Sequence, residues 1–209
     1  MLDAIKKNCR KPRGFFGKLI IRDMNKSHRS LHDWGFSMME LRDGMKVLDV
    51  GCGGGEAIGR FLRLMPSSVI YGLDYSATSV AAAKKANKKA VAAGRAVITE
   101  GDIMALPYPD GTFDVITSFE NYYFWPDITE AARGLRAAMK DGGVLYIVGE
   151  GHDTGRKNEH MEHMVELMDM QYPTAADFKA RLMAAGFSSV KVTTRDENAG
   201  GWIFAVCEK

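Results

Sequence analysis

The stretch Val47-Leu48-Asp49-Val50-Gly51-Cys52-Gly53-Gly54-Gly55-Glu56 limits the possible folds most. A short, mostly apolar run breaks into a cluster of glycines. Such a run reads as a buried parallel strand that ends in a tight turn. Beyond the turn, Ile58, Phe61, Leu62 and Met65 recur at helical spacing. The unit is therefore strand, glycine loop, helix. Glycine permits positive φ and lets a ligand approach the backbone. The helix start behind the loop offers free N–H groups and the positive end of a dipole.

Two ligand classes use such a loop. A dinucleotide site wants G-x-G-x-x-G, with the third glycine at the helix start. Gly51 and Gly53 fit, but Glu56 holds the third position, where a carboxylate repels a pyrophosphate. The pattern present is Asp49-x-Gly51-x-Gly53-x-Gly55. It resembles the first motif of class I S-adenosylmethionine (SAM)-dependent methyltransferases, whose ligand carries an amino-acid end and no phosphate. Asp74 ends the next predicted strand, Val69 to Leu73, about twenty residues past the loop, where a carboxylate suits a ribose diol. A helix N-cap is its other reading, and Ser76 competes for that role. The resemblance continues at Asp102-Ile103, and it implies that Asp102 accepts from the adenine amino group while Ile103 covers the ring. The strings "LPYPDGTFDVITS" and "MKDGGVLYIV" are similar to the small-molecule subgroup often labelled type 11. The likeness covers about residues 45–150 closely. It implies a cofactor set of Asp49, Gly51, Cys52, Gly53, Gly55, Asp74, Tyr75, Asp102, Ile103 and Phe119.

Composition excludes other classes. The 209 residues are 46% hydrophobic and 26% charged, as in an ordinary folded domain. A net charge of +2 gives no general polyanion signal. No apolar run approaches a membrane span. The basic N-terminus lacks the apolar region of a signal peptide, and residues 1–14 read as a solvated, partly mobile terminus rather than a nucleic-acid arm. Three scattered cysteines without a C-x-x-C pair favour a reducing, cytoplasmic setting.

The rest of the chain completes an α/β architecture. Residues 15–42 read as helical pieces capping the top of the sheet, with Leu31, Trp34 and Met38 on one face and Gly35 and Gly44 as punctuation. A helix is predicted from about Ala77 to Ala93, and strands at Ala96–Glu100, Val115–Ser118 and 142–149. Met161, Met164, Val165 and Met168 form the face of an amphipathic helix, read either as packing or as a lid. Thr174 caps a further helix with Phe178, Leu182 and Met183 inward, and Val190–Thr194 and Trp202–Cys207 pair as a terminal hairpin. The expected fold is a Rossmann-like, seven-stranded, mostly parallel sheet with an antiparallel final strand and helices on both faces. One domain is expected over 1–209: a helical cap (1–44), a SAM-binding core (45–150), a lid-like insertion (151–173) and a C-terminal helix and hairpin (174–209). His28, His32 and Asp33, and separately Glu159, His160, Glu162 and His163, lack a dense ligand set, so no metal is expected.

Methyl transfer from a sulfonium is an in-line displacement in which the protein orients the acceptor and, where needed, removes its proton. Ligands of open α/β sheets bind beyond the carboxyl ends of the strands. Glu120 and His152 are therefore the candidate proton acceptors, and Met24, Trp34, Tyr122, Tyr123, Trp125, Met161 and Met164 the candidate substrate contacts. Asn121-Tyr122-Tyr123-Phe124 lacks the prolines of the Asn-Pro-Pro-Tyr box of nucleobase amino methyltransferases. The leading expectation is a SAM-dependent methyltransferase acting on a small molecule. RNA or protein methylation, a non-catalytic SAM-binding regulator and a dinucleotide dehydrogenase are the alternatives. Nucleic acid and membrane are not expected partners, and the sequence does not fix the oligomeric state.

Overall fold

The computed structural model describes residues 28–195 and 201–209. Its strands are β1 (Lys46–Val50), β2 (Val69–Asp74), β3 (Ala96–Glu100), β4 (Phe113–Phe119), β5 (Met139–Glu150), β6 (Ser189–Arg195) and β7 (Trp202–Glu208). They form one sheet in the order β3-β2-β1-β4-β5-β7-β6. β1 pairs in parallel with β2 and β4, and β7 runs antiparallel to both β5 and β6. The order reverses at β1, so the crevice beyond its carboxyl end is the natural ligand position.

Both faces of the sheet are covered, which is why the central strands carry apolar residues on both faces. In β1, Leu48 and Val50 enter one core with Ile116, Leu135, Phe178 and Ile203. Val47 points the other way, into a second core with Ile58, Phe61, Val115 and Phe204. The first is covered by α5 (Ile128–Ala138) and α7 (Ala175–Ala184), and the second by α1 (Arg29–Ser37), α2 (Glu56–Leu64) and α3 (Ala77–Ala86). Fully buried side chains such as Phe61 and Phe178 each contribute about 2–3 kcal/mol by leaving water.

Several details depart from the sequence expectation. The single helix from Ala77 is broken: α3 ends at Ala86 and α4 (Lys88–Ala92) restarts after Asn87. The buried Asn87 amide donates to the Gly55 and Ala83 carbonyls, tying the break to the glycine loop. Gly35 does not punctuate α1 but lies inside it. A Cβ there would sit 2.9 Å from Val148 of β5 and 3.2 Å from Phe119 of β4, so Gly35 lets α1 lie against the sheet face. Met183, expected inward, is exposed, because α7 turns only Phe178 and Leu182 fully inside. In α6 (Glu159–Met168), Met161, Met164, Val165 and Met168 are all half-buried. The caps at Ser76 and Thr174 form as expected, accepting from the Ser79 and Asp177 N–H groups. No helix among the described residues is long and apolar enough to cross a membrane. The readings placed on residues 1–27, Met24 among them, lie outside the described residues.

Gly35→Ala is expected to destabilise the chain by about 1 kcal/mol. The overpacking of stiff Val148 exceeds the gain in helix propensity. Urea denaturation followed by far-UV circular dichroism checks it; an unchanged or raised midpoint would show that α1 is not tightly seated.

Candidate active site

The site is built where β1 ends. Gly51, Gly53 and Gly55 all have positive φ, at 64°, 50° and 78°, so the chain leaves the strand through three left-handed turns. At Gly51 a Cβ would also lie 2.5 Å from the Asn121 side chain. Asn121, just past β4, donates to the carbonyls of Val50 and Phe119, and its own oxygen accepts from Ser118 Oγ and Trp125 Nε1. It stitches the ends of β1 and β4 together. The sequence placed Asn121 among the residues after the fourth strand expected to face the methyl group, and in the rejected Asn-Pro-Pro-Tyr comparison, but not as a tie between strands.

Two aspartates support the loop. Asp74 at the end of β2 accepts from the N–H of Gly53 at 2.9 Å and of Ser76 at 2.9 Å. Asp49 in β1 accepts from Thr117 Oγ1 at 2.8 Å. Burial pushes both carboxyls up, Asp49 to about 7, with the charge of Asp74 adding to the shift and the Thr117 hydrogen bond opposing it.

These groups open onto a pocket lined by His28, His32, Asp49, Gly51, Cys52, Gly53, Gly54, Glu56, Ala57, Phe119 and Glu120. α1 supplies one wall. It is fixed to α2 through Arg60, which pairs with Asp33 and, at 3.1 Å, with Glu56. Glu56 is thus partly neutralised but still faces the pocket. His32 stacks on Phe119 with ring centroids 4.6 Å apart. Burial, the Arg60 charge and His28 depress its pKa to about 4, so His32 is neutral at pH 7.

Glu120 follows β4 with φ 56°, a left-handed conformation uncommon for a residue with a side chain. Its Oε1 accepts from the Glu150 N–H at 2.7 Å and its Oε2 from the Tyr123 hydroxyl at 3.1 Å. Burial first, and then the Glu150 charge, raise its pKa well above the usual carboxylate range. His28 Nε2 lies 3.6 Å from Glu120 and 3.7 Å from Glu150. Sequence reasoning weighed His28 only beside His32 and Asp33, where no metal was expected, and it missed Glu150, because both lie so far from Glu120 along the chain.

Of the expected site residues, Asp49, Gly51, Cys52, Gly53, Phe119 and Glu120 line this pocket. Gly55 supports it from behind as the N-cap of α2. Asp74 and Tyr75 lie at the end of β2, with Tyr75 exposed. Asp102 and Ile103 lie just past β3, where Asp102 accepts from the Met104 N–H. The remaining candidates are placed elsewhere. Tyr122 and Trp125 are packed into the core beside Ile128, because the turn after β4 folds them inward, and Tyr123 reaches the site only through its hydroxyl on Glu120. Trp34 packs against Trp202 and Phe204 of β7, and Met161 lies against Gly151. His152 does not line the pocket; it is buried against Gly201, because the chain turns inward after Gly151.

Comparison with known proteins agrees with this geometry. Residues 48–147 match the family model described as a methyltransferase domain. The 27-O-demethylrifamycin SV methyltransferase of Amycolatopsis mediterranei is 34% identical over 53% of this chain and 40% of its own length. The chloroplastic 2-methyl-6-phytyl-1,4-hydroquinone methyltransferase 1 of Oryza sativa is 32% identical over 71% of this chain and 43% of its own. The chain thus spans less than half the length of these two relatives. In structure, Haemonchus contortus phosphoethanolamine N-methyltransferase 2 superposes with a TM-score of 0.74 over 85% of this chain and 52% of that one, at 15% identity, a likeness of fold. The sheet order, the glycine loop with its two aspartates and the match over residues 48–147 together show a methyltransferase domain of the class I SAM-dependent type.

Proposed function

We propose that this protein transfers the methyl group of SAM to a small-molecule acceptor. The observation that carries the reading is the charge of the pocket. Among the described residues its lining contains three carboxyl side chains, Asp49, Glu56 and Glu120, and neither lysine nor arginine. A pyrophosphate finds no cation there, whereas a sulfonium and an α-ammonium find anionic partners. Asp49 with the loop of Gly51, Cys52, Gly53 and Gly55 would hold the amino-acid end. Asp74 and Tyr75 would take the ribose, and Asp102 and Ile103 the adenine. Phe119 would lie beside the sulfonium, where an aromatic face attracts a cation. The acceptor then approaches from the side of Glu120. The half-buried methionines Met161 and Met164 of α6, in the segment expected to act as a lid, would cover it from further out. A small-molecule acceptor is supported by the two relatives named for 27-O-demethylrifamycin SV and 2-methyl-6-phytyl-1,4-hydroquinone.

Calorimetry is expected to show binding of SAM and S-adenosylhomocysteine and none of NAD; binding of NAD alone would overturn the reading. Asp74→Ala is expected to weaken SAM binding by about 2–3 kcal/mol, the scale for charged hydrogen bonds. Asp74→Asn, which keeps an acceptor for the Gly53 N–H, separates ribose contact from loop support.

The aspartates also set a pH dependence. Asp49 is protonated below about pH 7 in the free protein, and an adjacent ammonium favours its ionised form. SAM binding should therefore release a proton, and affinity should rise up to about tenfold per pH unit below about 7 and level off above it. Asp49→Asn should flatten this profile. In the free protein the sign for stability is opposite. The contribution of this raised acid is full below its unfolded value and is lost as pH rises through about 7. Calorimetry from pH 5 to 8 in buffers of different ionisation enthalpy checks the release; a flat profile would remove Asp49 from the cofactor site.

A further inference from the structure

Beside the cofactor pocket, three side chains converge from separate parts of the chain. His28 precedes α1, Glu120 follows β4, and Glu150 ends β5. One ligand atom from each lies within 4.8 Å of the other two. The imidazole nitrogen is 3.6 Å from one carboxylate and 3.7 Å from the other. These separations exceed a hydrogen bond, so the three groups are aimed at a common point and not bonded to one another. They suit an ion. A cation about 2.1–2.2 Å from the nitrogen and from either oxygen would see that pair at about 110–125°.

Charge points the same way. Glu120 is buried and Glu150 is half-exposed, and among the described residues neither pairs with a lysine or arginine. Buried carboxylates without a protein cation are found paired or on metals. The hydrogen bonds already made from the Glu150 N–H and the Tyr123 hydroxyl hold the Glu120 carboxylate in place, as outer partners do at metal sites, and leave it lone pairs for an ion.

We propose that His28, Glu120 and Glu150 form a site for one divalent cation of the Mn²⁺ or Zn²⁺ type. Mixed imidazole and carboxylate ligands suit this class. Three protein ligands leave at least one position open, as in catalytic sites. Its role, which rests on the methyltransferase reading, is to hold a hydroxyl of the acceptor beside the methyl group and lower its pKa, so that the proton is lost to solvent, the oxygen forms its bond to the methyl carbon and the carbon–sulfur bond breaks to leave S-adenosylhomocysteine. The site would thereby select acceptors bearing a hydroxyl.

The experiment is a titration of the chelator-stripped full chain with MnCl₂, following the free Mn²⁺ signal by electron paramagnetic resonance, with ZnCl₂ as competitor. One Mn²⁺ per chain, displaced by Zn²⁺, is expected. His28→Ala and Glu150→Gln, which change the less buried ligands, should each weaken binding about tenfold or more, the scale of lesions at metal sites. Circular dichroism establishes that both variants fold, and Glu150→Asp serves as the conservative replacement should Glu150→Gln fail to. No binding, or binding that survives His28→Ala unchanged, overturns the proposal. S-adenosylhomocysteine binding, measured on the same stripped protein, keeps the two readings apart, because it tests the cofactor pocket whatever the cation result.

Discussion

Everything around the site follows from one constraint: β1 must end in three left-handed residues and still be held rigid. Glycine supplies the conformation at Gly51, Gly53 and Gly55, but glycine has no side chain with which to fix itself. The neighbours do that work. Asp74 takes the Gly53 N–H, Asn87 holds the Gly55 carbonyl, and Asn121 holds Val50. Gly72 in β2 leaves room for Ile58 and Cys52, since a Cβ there would lie 2.5 Å and 3.0 Å from them. Residues of β2, the α3–α4 break and the end of β4 therefore converge on a loop of a few residues, and the topology of the sheet brings them there.

The same convergence sets the electrostatics. Asp49, Asp74 and Glu120 all sit where burial opposes ionisation, and for each of them burial is the largest influence on the pKa. The charge of Asp74 raises Asp49 further, and that of Glu150 raises Glu120. Hydrogen bonds from Thr117, Gly53, Ser76 and Tyr123 only partly offset this. Such a pocket is unfavourable for its own charges until a positive ligand enters. On the proposed reading such a ligand would relieve a desolvation penalty that folding left in place, and phosphate would be disfavoured without any clash.

What was legible in the sequence was local. The glycine loop, the β2 aspartate and the terminal hairpin depend on residues a few positions apart, so period and turn chemistry revealed them. Phe119 and Glu120 could be placed because they follow a strand directly. Tyr122 and Trp125 could not, since their aromatic character serves a core and a pocket equally, and only the inward turn after β4 decides between them. Asn87 looked like one polar residue in an alanine-rich helix. Its effect comes from a carbonyl more than thirty residues away. His28 and Glu150 are ordinary in their own segments and gain meaning only through the pairing of β4 with β5 and the seating of α1.

Glu120 brings these strands together. A residue with a side chain at φ 56° carries about 1–3 kcal/mol of backbone strain, and its buried carboxyl adds a desolvation cost. A glycine would relieve both. The surroundings are instead arranged to keep this conformation. The Glu120 N–H donates to the Val148 carbonyl, and its carboxyl folds back across β5 onto the Glu150 N–H. Gly149 beneath has no room for a Cβ, with Tyr122 at 2.7 Å and Glu120 Oε1 at 3.3 Å. The left-handed turn is what brings the carboxyl back toward His28 instead of outward past the strand end. Stability alone would favour neither the strain nor the buried acid, so packing does not account for a glutamate at this position beside the pocket.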